Sequence, residues 1–164
     1  MTGTHRYPPR FVAPVRVAEA REFLVTAGLP EQSSIFAAAE GPARSLDGRE
    51  LLQVSDTEDG GTYFIDCGSG EIVLIDDFGG KMAPNLVSVN ASPRQFSACV
   101  GVLEELTIGS AVDEAEEIAA RLLIEIEAID PSAVRDEFGF WRSLLIDVAI
   151  GVYADDDDHD QEDK

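Results

Sequence analysis

Histidine, cysteine and positive charge are scarce in this 164-residue chain. Histidine occurs at His5 and His159 alone, each close to a terminus, where mobile arms are expected. A serine or cysteine nucleophile needs a base, usually histidine, and a third group to orient that base. The shortage sets covalent catalysis aside. The two cysteines, Cys67 and Cys99, both fall inside apolar patterns. That argues against a disulfide framework and leaves zinc no Cys/His cluster. No apolar run approaches the ~20 residues a bilayer span needs. The N-terminal stretch "MTGTHRYPPRFVAPVRV" is broken by three prolines and holds no apolar signal segment, so a soluble, cytoplasmic chain is expected.

Basic residues number 12 against 32 acids, a net charge of −20. Such a field repels nucleic-acid phosphates and anionic lipid and attracts basic protein surfaces. Neither nucleic acid nor membrane is an expected partner. Part of the charge is a run, "DDDDHDQEDK" at 155–164, which reads as a solvated tail. The remainder belongs to the folded body. A chain of this length buries roughly 70% of its unfolded surface and fits one domain. The expected organisation is a flexible arm over 1–14, an α+β domain over 15–153 and a disordered acidic tail over 154–164.

Within the body, Val17, Ala20, Phe23, Leu24 and Ala27 recur at helical spacing, and "AGLP" ends that helix. Gly28 takes the left-handed position after the helix and Pro30 cannot continue it. "SSIFAAAE" adds a short helical turn around Ile35 and Phe36. The period then changes. Residues 50–56, 62–67, 71–77 and 86–90 are short, apolar and rich in β-branched residues, with turn clusters "EDGG" and "GSG" between them. Helices resume at "SPRQF", with Ser92 as N-cap, Pro93 first and Gln95 as capping-box partner. Phe96, Cys99, Val100, Leu103 and Leu106 make the stripe. A second helix runs over 112–129. Asp130 caps the next turn, with Pro131 first, and a last amphipathic segment starts at Trp141 and runs to about Tyr153. This order predicts an α+β fold, a mainly antiparallel sheet of about four to six strands flanked by N-terminal and C-terminal helices.

The stretch "YFIDCGSGEIVLIDD" (63–77) concentrates a cysteine, a serine between glycines and paired aspartates. It lacks the strand-to-helix context of a nucleophile elbow, because a strand follows Ser69. "CGSG" opens no helix and has no Lys-Ser/Thr after it, so it is no phosphate cradle. Asp76 and Asp77 point to opposite faces if the strand continues through them. "DTEDGG" (56–61) only faintly imitates a calcium loop. The stretch therefore reads as a hairpin, with Gly68 and Gly70 both supplying positive φ.

Taken in order, "EFLVTAGLP", "TYFIDCGSGEIVLIDDFGG", "VSVNASPRQFSACVGVLEEL" and "IEAIDPSAVRDEFGFWRSLLIDV" resemble the SUKH superfamily, in particular its fourth group of immunity proteins from polymorphic toxin systems. The resemblance covers roughly residues 17 to 150. Its carriers are Gly28 and Pro30, then Cys67, Gly70 and Ile72 of the hairpin. Asn90, Ser92 and Phe96 follow, then Asp130 with Pro131, and Trp141. It departs at "LLQVSD", where a glycine is expected. The resemblance implies no catalysis, no cofactor and a single role, that of binding a cognate protein toxin domain, in many cases a nuclease or nucleic-acid deaminase. A toxin that attracts phosphate presents a basic face, which an acidic inhibitor complements. The candidate contacts are the turn and sheet-end acids Asp56, Glu58, Asp59, Asp76 and Asp77. Two other readings are an adaptor on the same scaffold and a metal-dependent enzyme using those same acids.

Overall fold

The computed structural model describes residues 3–56, 61–76 and 83–155. The chain forms an α+β fold. It divides into two compact units, Met1–Val100 and Gly101–Lys164, and the division falls inside one helix.

In the first unit the expected loose arm is instead ordered structure. Strand β1 (Thr4–His5) pairs antiparallel with β2 (Leu29–Pro30), and a short helix α1 (Pro9–Val12) follows β1. Tyr7 is the reason. Its ring is buried, it stacks on Phe11 at 5.4 Å, and its hydroxyl donates to the Val54 carbonyl at 2.5 Å. The prolines and arginines around it hide this anchor in a composition-based reading. Helix α2 (Ala18–Thr26) ends as expected: the Ala27 and Gly28 N–H groups both donate to the Phe23 carbonyl, and Gly28 sits at φ +79°. A Cβ on Gly28 would also lie 2.1 Å from the His5 carbonyl oxygen. Glycine is thus required twice, by conformation and by the close approach of β1.

The main sheet is a five-stranded antiparallel meander in sequence order: β3 (Ala43–Leu46), β4 (Arg49–Gln53), β5 (Thr62–Asp66), β6 (Ile72–Asp76) and β7 (Asn85–Asn90). Strand β3 is an addition to the expected set. The helical turn expected around Ile35 and Phe36 is absent; Gln32 bridges Ala37 and Ala38 bridges Ser55 as isolated β-pairs. The central strand β5 is buried at every residue. Phe64 opposite Val73, with Leu51 and Ile75, forms one apolar cluster. On the other face Phe36, Tyr63 and Phe96 meet with ring centroids 5.2–5.5 Å apart. Each such buried aromatic stabilises the fold by about 1.5–3 kcal/mol through area alone. Helix α3 (Pro93–Thr107) starts as expected. Ser92 Oγ accepts from the Gln95 N–H at 3.2 Å, and its hydroxyl donates to Gln95 Oε1 at 2.9 Å.

The second unit is helical. Thr107 Oγ1 donates to the Leu103 carbonyl at 2.7 Å as α3 ends. A 3-10 turn at Val112–Glu114 leads into α4 (Ala115–Ile129). Asp130 caps the next turn, which is 3-10 (Pro131–Val134): its Oδ1 accepts from both the backbone N–H (3.2 Å) and the hydroxyl (2.5 Å) of Ser132. Helix α5 (Phe140–Ala149) packs along α4. Ile118, Leu122 and Ile126 of α4 and Trp141, Leu144 and Val148 of α5 are buried. That repeat of three and four residues is the amphipathic pattern that predicted both helices. No helix among the described residues is long and apolar enough to cross a membrane.

Candidate partner-binding surface

The hairpin joining β5 and β6 is built on Asp66. Its Oδ1 accepts from the N–H groups of Gly68 (2.8 Å) and Ser69 (3.1 Å), an Asx turn that reverses the chain. The Gly70 N–H then donates to the Asp66 carbonyl at 2.8 Å. Of the two glycines expected at positive φ, only Gly70 has it, at +78°; Gly68 does not, because the aspartate side chain already makes the bend. Gly70 also lies against Val17 and Ala20 of the α2 region, with an added Cβ at 3.3–3.4 Å from them.

Charged residues gather at this end of the sheet. Arg49 Nη1 stands 3.6 Å from Asp66 Oδ2 and 3.6 Å from Glu71 Oε2, and the Ser88 hydroxyl donates to the Glu71 carboxylate. Arg16 meets Glu50 at 3.4 Å. These partly exposed pairs contribute about 0–1 kcal/mol each, so they order the surface more than they hold the fold. Asp66 and Glu71 escape a reading of the sequence in which "YFID" is strand interior. The signal that could have found Asp66 is an aspartate two residues before Gly-Ser-Gly, the spacing of an Asx turn.

The opposite end holds two of the expected acids. Asp56 follows β4 with an exposed side chain, and its N–H donates to the Ala37 carbonyl at 2.9 Å. Asp76 closes β6 opposite Asn85 and is half-buried. Antiparallel pairing puts both at the end where β5 begins, since Val54 bonds Tyr63 and Thr62 faces Ile75. Glu58, Asp59 and Asp77 lie outside the described residues.

Cys67 is free and buried. Burial, then the Glu50 and Asp66 carboxylates, push its thiol pKa up, against a smaller opposing effect of Arg16. A raised pKa keeps the sulfur protonated, the reverse of what a nucleophile needs. Ser69 Oγ accepts from the Glu71 N–H at 3.2 Å, a turn contact. His5, expected in a mobile arm, is instead in β1, edge-on to Tyr7 at 4.6 Å. Its Nε2 lies 3.4 Å from Glu40 Oε2 without hydrogen-bond geometry. Among the described residues, no group of three His, Cys, Asp or Glu side chains is placed to hold a metal ion.

The remaining motif residues hold the framework. Asn90 is buried and its Nδ2 donates to the Cys99 sulfur at 3.6 Å, tying the end of β7 to α3. Phe96 belongs to the aromatic trio, and Trp141 is fully buried with Phe140 edge-on at 5.2 Å.

An antiparallel meander whose ends carry carboxylates, followed along the chain by a helical unit, defines an α+β protein. Residues 1–147 match the SUKH-4 immunity protein family, and the chain belongs to that family. The match runs through both compact units. No curated protein and no solved structure matches the chain.

Proposed function

We propose that this protein neutralises a cognate toxin domain of a polymorphic toxin system by covering it with an acidic surface, and that it does so by binding alone, without catalysis. The observation that carries the reading is the family match over residues 1–147 in a chain with a net charge of −20. The toxin is a nuclease or nucleic-acid deaminase, since an enzyme that grips phosphate presents the basic face such a surface complements. Asp56 and Asp76 supply contacts from one end of the sheet, and Glu58, Asp59 and Asp77 are further acids that meet the toxin. The Asp66–Arg49–Glu71 cluster supplies the other end.

The test is co-expression with the product of the reading frame immediately upstream. Growth is rescued by the wild-type chain. Rescue drops at least tenfold in plating efficiency for an Asp56→Lys/Asp76→Lys double variant, and the purified complex weakens steeply between about 0.05 and 0.5 M salt, on the order expected for screened charge pairs. An upstream product that is harmless on its own, or a complex indifferent to salt, would refute the proposal.

A further inference from the structure

All of the large hydrophobic side chains left strongly exposed among the described residues lie in the helical unit: Ile108, Val112, Ile124, Phe138, Ile146, Ile150 and Val152. Isolated exposed apolar residues need no explanation, but a contiguous apolar surface does. Of these seven, Ile146 lines a concave and largely apolar surface between α4 and α5. A groove of about 370 Å³ is floored by Ala120, Leu123, Leu145, Ile146 and Ala149 and edged by Glu137 and Arg142. Small alanines on both helices are what open it.

Charge selects the occupant. Residues 101–155 carry thirteen acids and three arginines. One of those arginines, Arg142, commits its Nε to the Val134 carbonyl at 2.9 Å. Glu116 and Glu127 stand exposed on α4 three or four residues before Ala119 and Ala120 and after Leu123, so acids flank the apolar floor at both ends. A second copy would bring the same negative field to the groove and be repelled. The chain's own last residues, 156–164, contain no apolar side chain to fill it. The occupant that fits is an amphipathic helix with an apolar edge and lysines or arginines beside it. Its side chains at i, i+3, i+4 and i+7 lie in the groove while its cations meet the flanking carboxylates.

We infer that the α4–α5 groove is a docking site for such a cationic amphipathic helix on the partner protein. The inference rests on the reading that this chain acts by binding a basic protein, and it names a surface distinct from the acids at the sheet ends.

The probe is an 18-residue peptide with leucines at that spacing and lysines elsewhere, titrated against the full chain by fluorescence anisotropy. The expected result is saturable binding, at least tenfold weaker for a shuffled peptide of identical composition. Ala120→Trp, which fills the groove without changing charge, lowers affinity at least tenfold. So does Ile146→Asp, although it adds a negative charge that would strengthen non-specific attraction. Both positions are on the surface, and circular dichroism confirms folding; the milder Ile146→Ser replaces either variant if it unfolds. Equal binding of the shuffled peptide, or affinity unchanged in the folded variants, overturns the inference. So does a dimer in sedimentation that these substitutions dissolve, which would assign the groove to a second copy. Loss of peptide binding with growth rescue intact would sink the groove and leave the immunity reading standing. Failure of the wild-type chain to rescue growth would sink that reading instead.

Discussion

The two compact units differ in density of negative charge and in how much apolar surface they expose. Residues 1–100 carry thirteen acids and eight bases, a net charge of −5, and the described part of that unit leaves no large hydrophobic side chain strongly exposed. Residues 101–155 have the same number of acids against three arginines, and yet they present every strongly exposed Ile, Val and Phe among the described residues. If acidity served solubility alone, the more acidic unit would be expected to show the more polar surface. An apolar groove edged by Glu137, as between α4 and α5, is closer to the make-up of an interface, an apolar centre inside a polar rim. The described part of the sheet unit, by contrast, uses acids in turns and ion pairs, as at Asp66, and leaves no large apolar side chain strongly exposed.

The contrast is sharpest in two glycines. Gly28 in the sheet unit and Gly109 in the helical unit both have positive φ, at +79° and +69°. They differ in surroundings. An added Cβ at Gly28 would strike the His5 backbone at 2.1 Å, whereas at Gly109 nothing lies within 4 Å. Gly109→Ala is expected to cost about 1 kcal/mol, from backbone strain alone. Gly28→Ala adds the opening of the β1–β2 pair and is expected to cost about 3–4 kcal/mol. Urea midpoints at constant m-value measure both. Equal losses would show that the N-terminal strand is not a fixed part of the sheet unit.

The parts of this fold set by local chemistry are legible in the sequence, and the parts set by distant contacts are not. Ser92, Asp130 and the Gly-Leu-Pro after α2 act within a few residues of themselves, so their roles can be read in place. The same is true of the periodic stripe through Ile118, Leu122 and Ile126. Tyr7 cannot be read, because its partner Val54 is 47 residues away. Strand β3 escapes for a different reason. Its hairpin is announced by Asp47-Gly48, both at positive φ, but "ARSL" alternates too weakly to read as a strand on an edge. Of the candidate surface, Asp56 and Asp76 can be chosen as loop and sheet-end acids. The groove between α4 and α5 cannot, since alanines at 120 and 149 look like ordinary helix formers until the helices are side by side.

Tyr7 offers a second way to test the comparison, through pH. Burial, and then the Glu40 carboxylate, raise its pKa far above the ordinary 10.0. Between the unfolded and folded values, the unfolded chain has lost the phenolic proton and the folded chain has kept it. Stability is therefore fully present below about pH 10 and falls as pH rises beyond it, by about 1.4 kcal/mol per pH unit from this group. Tyr7→Phe removes the ionisation along with the hydrogen bond to Val54. The variant is expected to be about 1 kcal/mol less stable at neutral pH and to lose less on going from about pH 10 to pH 11. Urea melts across that range give both slopes, and parallel slopes would mean that the Tyr7 hydroxyl is open to water.

The smallest effects belong to the helical unit's surface. Ile108 and Ile150 are 79% and 69% exposed. Replacing either by serine removes little buried area, so the expected change in stability is within about 0.5 kcal/mol. The near-zero value is informative because of what it should accompany. A side chain that the fold does not use, but that a partner covers, can be replaced with no loss of stability and a measurable loss of binding. A loss above about 1 kcal/mol in the isolated protein would show that these isoleucines are already covered in solution. The helical unit would then resemble the described part of the sheet unit, where no large apolar side chain is left strongly exposed.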